Sequence, residues 1–140
     1  MASFAYNNLL DDALRGNIDL DVDTFYVMLV TSAYTPDQDT HTKRSDVTNE
    51  VTGTGYTAGG QAIVPVLTKD TTNNRVSLVF PQVTWPTSTI TARRAIYYKR
   101  RGGAASADEL IGQDDFVSDV STTAGTFTLQ QTTILINTPA

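Results

Sequence analysis

The one tryptophan of the sequence and its most strand-like run both fall within Val83-Thr84-Trp85-Pro86-Thr87-Ser88-Thr89-Ile90-Thr91-Ala92-Arg93-Arg94-Ala95-Ile96-Tyr97-Tyr98-Lys99. Successive side chains of a strand point to opposite faces. Residues 90–99 therefore predict a strand with one face that is apolar apart from Arg94, and a second face that is polar. We expect neighbouring strands on both sides and another layer over the apolar face. On that face Arg94 requires a carboxylate or carbonyl partner.

The composition indicates one mostly β domain. The chain has 140 residues, the usual size of a single domain, so we assign residues 1–140 to one unit. Threonine, valine and isoleucine abound, and glycine and asparagine separate short apolar runs. About seven or eight antiparallel strands fit this spacing of turns, which predicts a mainly β fold, an antiparallel β-sandwich or barrel with one N-terminal α-helix.

The N-terminal helix is predicted over residues 4–15. Ser3 is a suitable N-cap, and Gly16 is placed to end the helix in a left-handed conformation. Apolar residues recur at three- and four-residue spacing and form one stripe. We expect the stripe to pack on the sheet, and the alternative is an arm that buries it on a neighbouring subunit. The stripe consists of Tyr6, Leu9, Leu10, Ala13 and Leu14.

Six further strands are predicted. Residues 24–32 are apolar on both faces, which indicates a central strand covered on both sides. Residues 63–68 and 75–80 predict a β-hairpin, in which Pro65 favours an edge position or a bulge. One short strand is expected on each side of residues 112–115. Residues 126–137 predict one extended strand whose faces exchange polarity near Thr132.

Charge and cysteine content exclude several classes of site. The sequence has no cysteine and one histidine, which argues against disulfides, thiolate metal sites and conventional zinc sites. The formal net charge of −5 opposes attraction to nucleic acid or to an anionic membrane. Asp19, Asp21 and Asp23 lack the glycine and glutamate of an EF-hand, so we interpret them as a solvated strand edge. No bilayer-spanning run or signal peptide is evident, and we predict a soluble protein without metal or cofactor.

A long polar connection, residues 33–48, follows the strand predicted for residues 24–32. Loops of this length are usually functional or mobile, and we expect contact with another protein here. His41 lies among Asp37, Asp39 and Asp46, which would also suit a metal or acid–base site. The sequence offers no second histidine to complete a common metal set, so an interface role for His41 is favoured.

Residues 53–60, Gly-Thr-Gly-Tyr-Thr-Ala-Gly-Gly, superficially match a phosphate-binding loop. Such loops require a lysine at a fixed position and a helix to follow, whereas residues 61–67 predict a strand. We therefore expect a turn in which the glycines adopt positive φ and Tyr56 anchors the loop on the surface.

Five of the ten basic residues fall within nine positions, from Arg93 to Arg101. Interleaved with Tyr97 and Tyr98, they would suit nucleic-acid binding. Because the remainder of the chain is acidic, a solvated strand end or an ion-pair contact with an acidic neighbour is favoured.

Four segments together resemble a widespread family of small structural proteins of tailed bacteriophages, and the resemblance spans most of the chain. The segments are Met28-Leu29-Val30-Thr31-Ser32-Ala33-Tyr34-Thr35-Pro36, Arg44-Ser45-Asp46-Val47-Thr48-Asn49-Glu50-Val51, Gly53-Thr54-Gly55-Tyr56-Thr57-Ala58-Gly59-Gly60-Gln61, and residues 83–99. In that family the glycine–tyrosine–glycine segment is a hallmark, which suggests a constrained turn or a subunit contact.

The resemblance implies a virion component made in the bacterial cytoplasm, with no catalytic residue set. We expect a capsid decoration, or cement, protein that binds the major capsid protein and forms a homo-oligomer, for example a trimer. The candidate interface residues are Tyr34, His41, Arg44, Tyr56, Arg93, Arg94, Lys99, Arg100 and Arg101.

Two other functions remain open. A tail or head–tail joining protein would use the same domain with the N-terminal helix as an arm. A carbohydrate-binding module would use Trp85, Tyr97, Tyr98 and Tyr56 as stacking platforms, although such aromatics are more often core. We predict that the protein is not an enzyme, because no convergent set of catalytic residues is evident. The adjacent acids Asp114 and Asp115 point to opposite faces of a strand and are poor candidates for a shared centre.

Overall fold

The computed structural model describes residues 2–137. The mainly β class is confirmed, with 49% strand, antiparallel sheets and one short N-terminal helix. Ten strands are present in the described residues, more than predicted. The elements are β1 (Ala2–Ala5), α1 (Asn8–Leu14), β2 (Phe25–Val30), β3 (Gln61–Ile63), β4 (Val66–Asp70), β5 (Arg75–Phe80), β6 (Val83–Ser88), β7 (Thr91–Lys99), β8 (Leu110–Ser121), β9 (Gly125–Leu129) and β10 (Thr132–Asn137).

Two layers enclose the main core. The first is a five-stranded sheet in the order β1-β8-β7-β2-β3, and the second combines the sheet β10-β5-β4 with the pair β6-β9. Apolar side chains from both layers meet between them, including Leu29 and Ile111 from the first and Leu78 and Trp85 from the second. The rings of Phe80 and Tyr97 stack with centroids 3.9 Å apart across this core. Burial of these aromatic and aliphatic surfaces is the main force holding the layers together.

The outer face of the five-stranded sheet carries a second, smaller core. It contains Tyr6, Met28, Ile96 and Tyr98, and residues 31–48 close over it with Tyr34. The central, doubly covered position predicted for β2 is confirmed, since β2 lies between β7 and β3. The polar second face predicted for β7 is wrong, because its residues Ala95 and Tyr97 are fully buried in the main core.

The N-terminal helix is shorter than predicted. Residues 2–5 pair with β8 as a strand, so Ser3 is not an N-cap and α1 begins at Asn8. Pairing with β8 satisfies the backbone hydrogen bonds of residues 2–5. The predicted helix over residues 4–15 would have gained less, because a helix of this length is only marginally stable on its own. The prediction that Gly16 ends the helix in a left-handed conformation is confirmed, since Gly16 has φ +82°. Only the first part of the stripe is buried: Leu10 is 50% exposed and Leu14 is 87% exposed.

Strand β8 runs without a break through residues 112–115, where two separate strands were predicted. Gly112 permits this, because a Cβ there would lie 2.8 Å from the carbonyl oxygen of Phe4 and 2.6 Å from Cδ1 of Ile134. Glycine in a strand often marks such a close backbone approach. The sequence signal for a turn was in this case a signal for tight packing.

The predicted strand over residues 126–137 is instead two strands, β9 and β10. The chain leaves its partner β6 after Leu129 and joins β5 from Thr132. The polarity change near Thr132 therefore marks a change of partner strand. The predicted hairpin is confirmed as β4 and β5, except that Ile63 belongs to β3. Residues 19–23 form turns, not the predicted strand edge.

Candidate interaction surfaces

The polar connection is anchored from within by two of the predicted interface residues. The Tyr34 hydroxyl lies 3.0 Å from the Tyr6 hydroxyl and 2.9 Å from Nδ1 of His41, and the Tyr34 and His41 rings stack with centroids 5.6 Å apart. The backbone N–H of Asp37 also donates to His41 Nδ1, at 3.2 Å. Burial raises the phenol pKa of both tyrosines. Residues 31–48, which we call the covering segment, are thus held by a chain of hydrogen bonds that starts at the buried Tyr6–Tyr34 pair and ends at the surface.

Arg44 also makes its contacts within the chain. Its Nε donates to the buried carboxylate of Asp108 at 2.8 Å, and its guanidinium lies over the Tyr98 ring, 5.1 Å from the centroid. The second oxygen of Asp108 accepts the backbone N–H of Arg101 at 2.9 Å. A buried carboxylate requires such donors to offset the loss of water. Arg44 therefore ties the covering segment to the loop before β8.

Arg93 and Arg94 share one carboxylate, that of Asp115. The distances are 3.0 Å from Arg93 Nε and 3.4 Å from an Arg94 nitrogen, and Arg94 also donates to the carbonyl of Tyr34 at 2.7 Å. The prediction that Arg94 requires a carboxylate or carbonyl partner is confirmed, because it contacts both the Asp115 carboxylate and the Tyr34 carbonyl. Burial acts to raise the pKa of Asp115, but the N–H of Val117 and the two arginines outweigh it and lower the pKa.

Lys99 is nearly buried and fixes the connection between α1 and β2. Its Nζ lies 2.7 Å from a carboxylate oxygen of Asp23 and donates to the carbonyl of Asn17 at 2.6 Å. Burial acts to raise the pKa of Asp23, but the hydrogen bond from Lys99 and the backbone of Asp19 lower it on balance. The acidic turn therefore supplies the counter-charge for a core lysine.

The end of the basic run is also balanced by acids of the same chain. Arg101 makes a bidentate pair with Glu109, with both distances 2.7 Å. Arg100 is exposed and lies over the Tyr26 ring, 4.3 Å from its centroid. Because carboxylates already occupy most of these cations, the cluster presents little free positive charge to phosphate. The structure thus brings the predicted basic residues together, but mainly with acids of their own chain.

The glycine-rich turn is closed against β2 by Tyr56. Its hydroxyl donates to a Glu50 carboxylate oxygen at 2.7 Å and accepts the N–H of Leu29 at 3.0 Å. Gly60 has φ +81°, and a Cβ there would lie 1.8 Å from the carbonyl oxygen of Val27. Only glycine fits so close an approach. The predicted constrained turn is confirmed, although Tyr56 anchors it inward and not on the surface.

The aromatic residues proposed as sugar platforms do not form an exposed surface. Trp85 is 2% exposed, and Tyr97 and Tyr98 are fully buried. The Tyr98 hydroxyl donates to the carbonyl of Gly59 at 2.6 Å, and burial raises its pKa to about 12. These side chains pack the two cores, so no stacking face remains for a ligand.

Adjacent acids on β8 have different surroundings, as predicted. Asp114 is 1% exposed, faces the core, and accepts a hydrogen bond from the Thr132 hydroxyl at 2.6 Å. Burial raises its pKa, whereas that of Asp115 is lowered. Across residues 2–137 there is no group of three or more histidine, cysteine or acidic side chains suited to a metal ion.

One exposed apolar region was not singled out as a contact from the sequence. Val64 is 77% exposed, Val66 is 54% exposed and Leu67 is 41% exposed. They belong to residues 64–68, which we call the edge segment, and β4 ends its sheet with a free edge. Pro65, predicted at an edge position or a bulge inside the first hairpin arm, lies instead outside both strands, where the chain leaves β3 and enters β4. Both of these strands lie at the ends of their sheets.

A groove of about 560 Å³ lies between β1, the start of α1 and β10. Both strands are ends of their sheets, so two free edges border it. Leu10, which is 50% exposed, and Leu135, which is 47% exposed, are part of its wall. None of the described residues that line the groove is charged. The groove and the edge segment are thus two uncharged surfaces of a domain whose basic side chains mostly pair with acids of the same chain.

Comparison of the chain with protein-family models, with curated proteins and with solved structures finds no match in any of the three. Within the described residues, no helix has the length and apolar character needed to cross a membrane.

Proposed function

We propose that this protein is a structural protein of a tailed-bacteriophage virion that binds the assembled capsid as a decoration, or cement, protein. The resemblance of residues 28–36, 44–51, 53–61 and 83–99 to small phage structural proteins supports the proposal. The observation that carries it is the distribution of exposed surface: most basic side chains pair with acids of the same chain, while apolar side chains of the edge segment are exposed. Such a surface suits protein–protein contact.

A decoration protein stabilises a shell by bridging neighbouring capsid subunits. It binds a surface that exists only after assembly, so binding adds to shell stability by mass action. The proposed partners are the major capsid protein and further copies of this chain, in a symmetric oligomer such as a trimer. The proposal includes no catalysis and no cofactor.

A tail or head–tail joining protein is the second candidate. Leu10 and Leu14 favour it, because half or more of each side chain is exposed on α1 and would be buried if the helix contacted a neighbouring subunit in a ring. The carbohydrate-binding alternative has no such support, since Trp85 and Tyr98 are buried.

Cosedimentation with particles tests the proposal. Purified protein is mixed with mature capsids that lack it, with unassembled major capsid protein, and with isolated tails. We expect cosedimentation with assembled capsids alone and a higher temperature of capsid disruption. Binding to tails in place of capsids would support the second candidate, and folded protein that binds neither particle would contradict both.

A further inference from the structure

His41 is the single histidine of the sequence, and one of its ring nitrogens, Nδ1, has two hydrogen-bond partners. The backbone N–H of Asp37 lies 3.2 Å from Nδ1, and the Tyr34 hydroxyl lies 2.9 Å from the same atom. A backbone N–H can only donate, so Nδ1 must carry a lone pair. The proton of the neutral imidazole is therefore on Nε2, and the bond from Asp37 fixes this tautomer.

The lone pair on Nδ1 also sets the direction of the buried hydrogen bonds behind it. With Nδ1 as acceptor, the Tyr34 hydroxyl donates to His41, and its oxygen accepts the proton of the Tyr6 hydroxyl, 3.0 Å away. Tyr6 is 1% exposed and Tyr34 is 2% exposed, so water cannot replace a lost partner of either hydroxyl. These two bonds must therefore be kept whenever the ring changes its protonation.

A proton gained by the imidazole binds Nδ1 and makes both ring nitrogens donors. The new Nδ1–H can bond to the Tyr34 oxygen if both hydroxyl bonds reverse, so that Tyr34 donates to Tyr6. The backbone N–H of Asp37 cannot reverse, because it would then face another donor. Protonation of His41 thus preserves the buried bonds and breaks the one bond from Asp37.

Charged groups of both signs surround the ring. The carboxylates of Asp37 and Asp46 lie on the covering segment and attract an imidazolium ion. The Arg94 guanidinium, on β7, binds the carbonyl of Tyr34 at 2.7 Å and repels it. The two tyrosines stay neutral, because burial raises the pKa of each phenol. Histidine is the side chain that ordinarily changes charge between about pH 5 and about pH 8, so the ring is the group of this cluster that gains a proton there.

The bond that breaks belongs to a turn that ties the covering segment to the N-terminal part of the fold. The N–H of His41 donates to the Asp37 carbonyl at 3.1 Å, so two bonds in opposite directions close this turn. Within the turn, the Gln38 side chain donates to the carbonyl of Ala5 at 2.8 Å, and the Gln38 carbonyl accepts the N–H of Asn7 at 3.0 Å. Loss of one closing bond therefore loosens the turn that makes these contacts.

We propose that His41 is a pH-dependent latch of the covering segment. Uptake of a proton at Nδ1 releases the N–H of Asp37 and loosens the segment where it contacts Ala5 and Asn7. The small core beneath stays closed, because Tyr34 keeps both of its hydroxyl partners in either state. The inference goes beyond the proposed function and does not depend on it, since the latch belongs to the isolated domain.

NMR spectroscopy of the isolated protein tests the latch directly. Long-range proton–nitrogen correlation spectra identify the tautomer of the single histidine and follow its protonation between about pH 8 and about pH 5. Protection factors of the Asp37 and Asn7 amides, corrected for the intrinsic pH dependence of exchange, are measured over the same range. The amides of Thr42 and Lys43 are internal controls, because they bond to Asp46, whose lowered pKa places its titration at more acid pH.

We expect the Nε2–H tautomer at about pH 8. As His41 gains its proton, the protection factor of the Asp37 amide should fall by about threefold to tenfold, with a smaller fall at Asn7 and no change at Thr42. A neutral ring protonated at Nδ1 would overturn the proposal. So would an Asp37 amide whose protection does not follow the titration of His41, or an equal loss at Thr42, which would indicate general loosening.

His41→Asn is the matched variant. Its side-chain oxygen can accept the N–H of Asp37 in place of Nδ1, but it does not titrate. The variant should keep the protection of the Asp37 amide and remove its pH dependence, and circular dichroism checks its fold. A folded variant that retains the pH dependence would assign the effect to another group and contradict the proposal. The tautomer and titration of the wild type decide the question if the variant does not fold.

Discussion

The covering segment and the edge segment differ in how they relate to the two cores. The covering segment is almost entirely polar, yet Tyr34 within it is 2% exposed and the segment closes a core. The edge segment is apolar, yet Val64 is 77% exposed. Both follow β-strands of the same domain, and hydropathy alone would indicate neither the anchoring role of the first nor the exposure of the second.

The difference shows that position relative to the sheets, and not hydropathy alone, decides which segment closes a core and which stays exposed. The covering segment lies over the centre of a five-stranded sheet, where one tyrosine and a few hydrogen bonds are sufficient to anchor it. The edge segment lies at the end of a three-stranded sheet, where the described part of the chain provides no layer to cover it. We infer that the first segment is structural and that the second is available to a partner.

Removal of the Tyr34 side chain should have the largest effect. Tyr34→Ala is expected to lower the free energy of unfolding by about 3–5 kcal/mol, because it leaves a cavity beneath the covering segment. Tyr34→Phe, which keeps the ring but loses the bonds to Tyr6 and His41, should cost about 1–3 kcal/mol. Urea denaturation measures both. A loss below about 1 kcal/mol for the alanine variant would show that the segment is not anchored there.

Acid should loosen the covering segment through Asp46. Its carboxylate accepts the N–H groups of Thr42 and Lys43 at 2.9 and 3.0 Å, and these bonds lower its pKa. Because the folded-state pKa is below the unfolded value, this stabilisation is present above the unfolded pKa and is lost as pH falls through the folded one. The protection factors of the two amides, which are their exchange rates corrected for the intrinsic pH dependence of exchange, should therefore fall in acid.

Asp46→Asn provides the control for this pH effect. This substitution should lower the free energy of unfolding by about 1 kcal/mol at neutral pH. It should also make the protection factors of the Thr42 and Lys43 amides independent of pH over the acid range. Unchanged protection factors at Thr42 and Lys43 in the wild type between neutral and acid pH would contradict the assigned role of Asp46.

Changes in the edge segment should have the smallest effect on stability. Val64→Ser is expected to alter the free energy of unfolding by less than about 0.5 kcal/mol, because the side chain is exposed in both states of the isolated chain. The urea midpoint of dilute protein measures this. A loss above about 1.5 kcal/mol would show that Val64 is buried and would remove the contrast between the two segments.

Much of the fold was accessible from the sequence because its strands follow period-two patterns. The hairpin of β4 and β5, the central position of β2 and the left-handed Gly16 were all predicted. Errors arose where a long-range contact overrode a local signal. Residues 2–5 pair with β8 in place of extending the helix, and Gly112 permits close packing where a turn was expected.

The candidate interface was harder to predict. Sequence reasoning named Arg44, Arg94 and Lys99 as candidate interface residues, but their carboxylate partners Asp108, Asp115 and Asp23 lie far away along the chain. Only the folded chain shows that these charges are paired internally. The edge segment was recognised as an edge through Pro65, but its exposure depends on which strands end each sheet, which local patterns do not specify.

A cryo-EM map of purified virions, together with the number of copies per particle, tests the central claim most directly. The account predicts density of this domain repeated over the capsid surface, with copy number in proportion to the capsid lattice. A small number of copies at one vertex or along the tail would contradict decoration and support a joining or tail role. Absence of the protein from purified particles would contradict a virion function altogether.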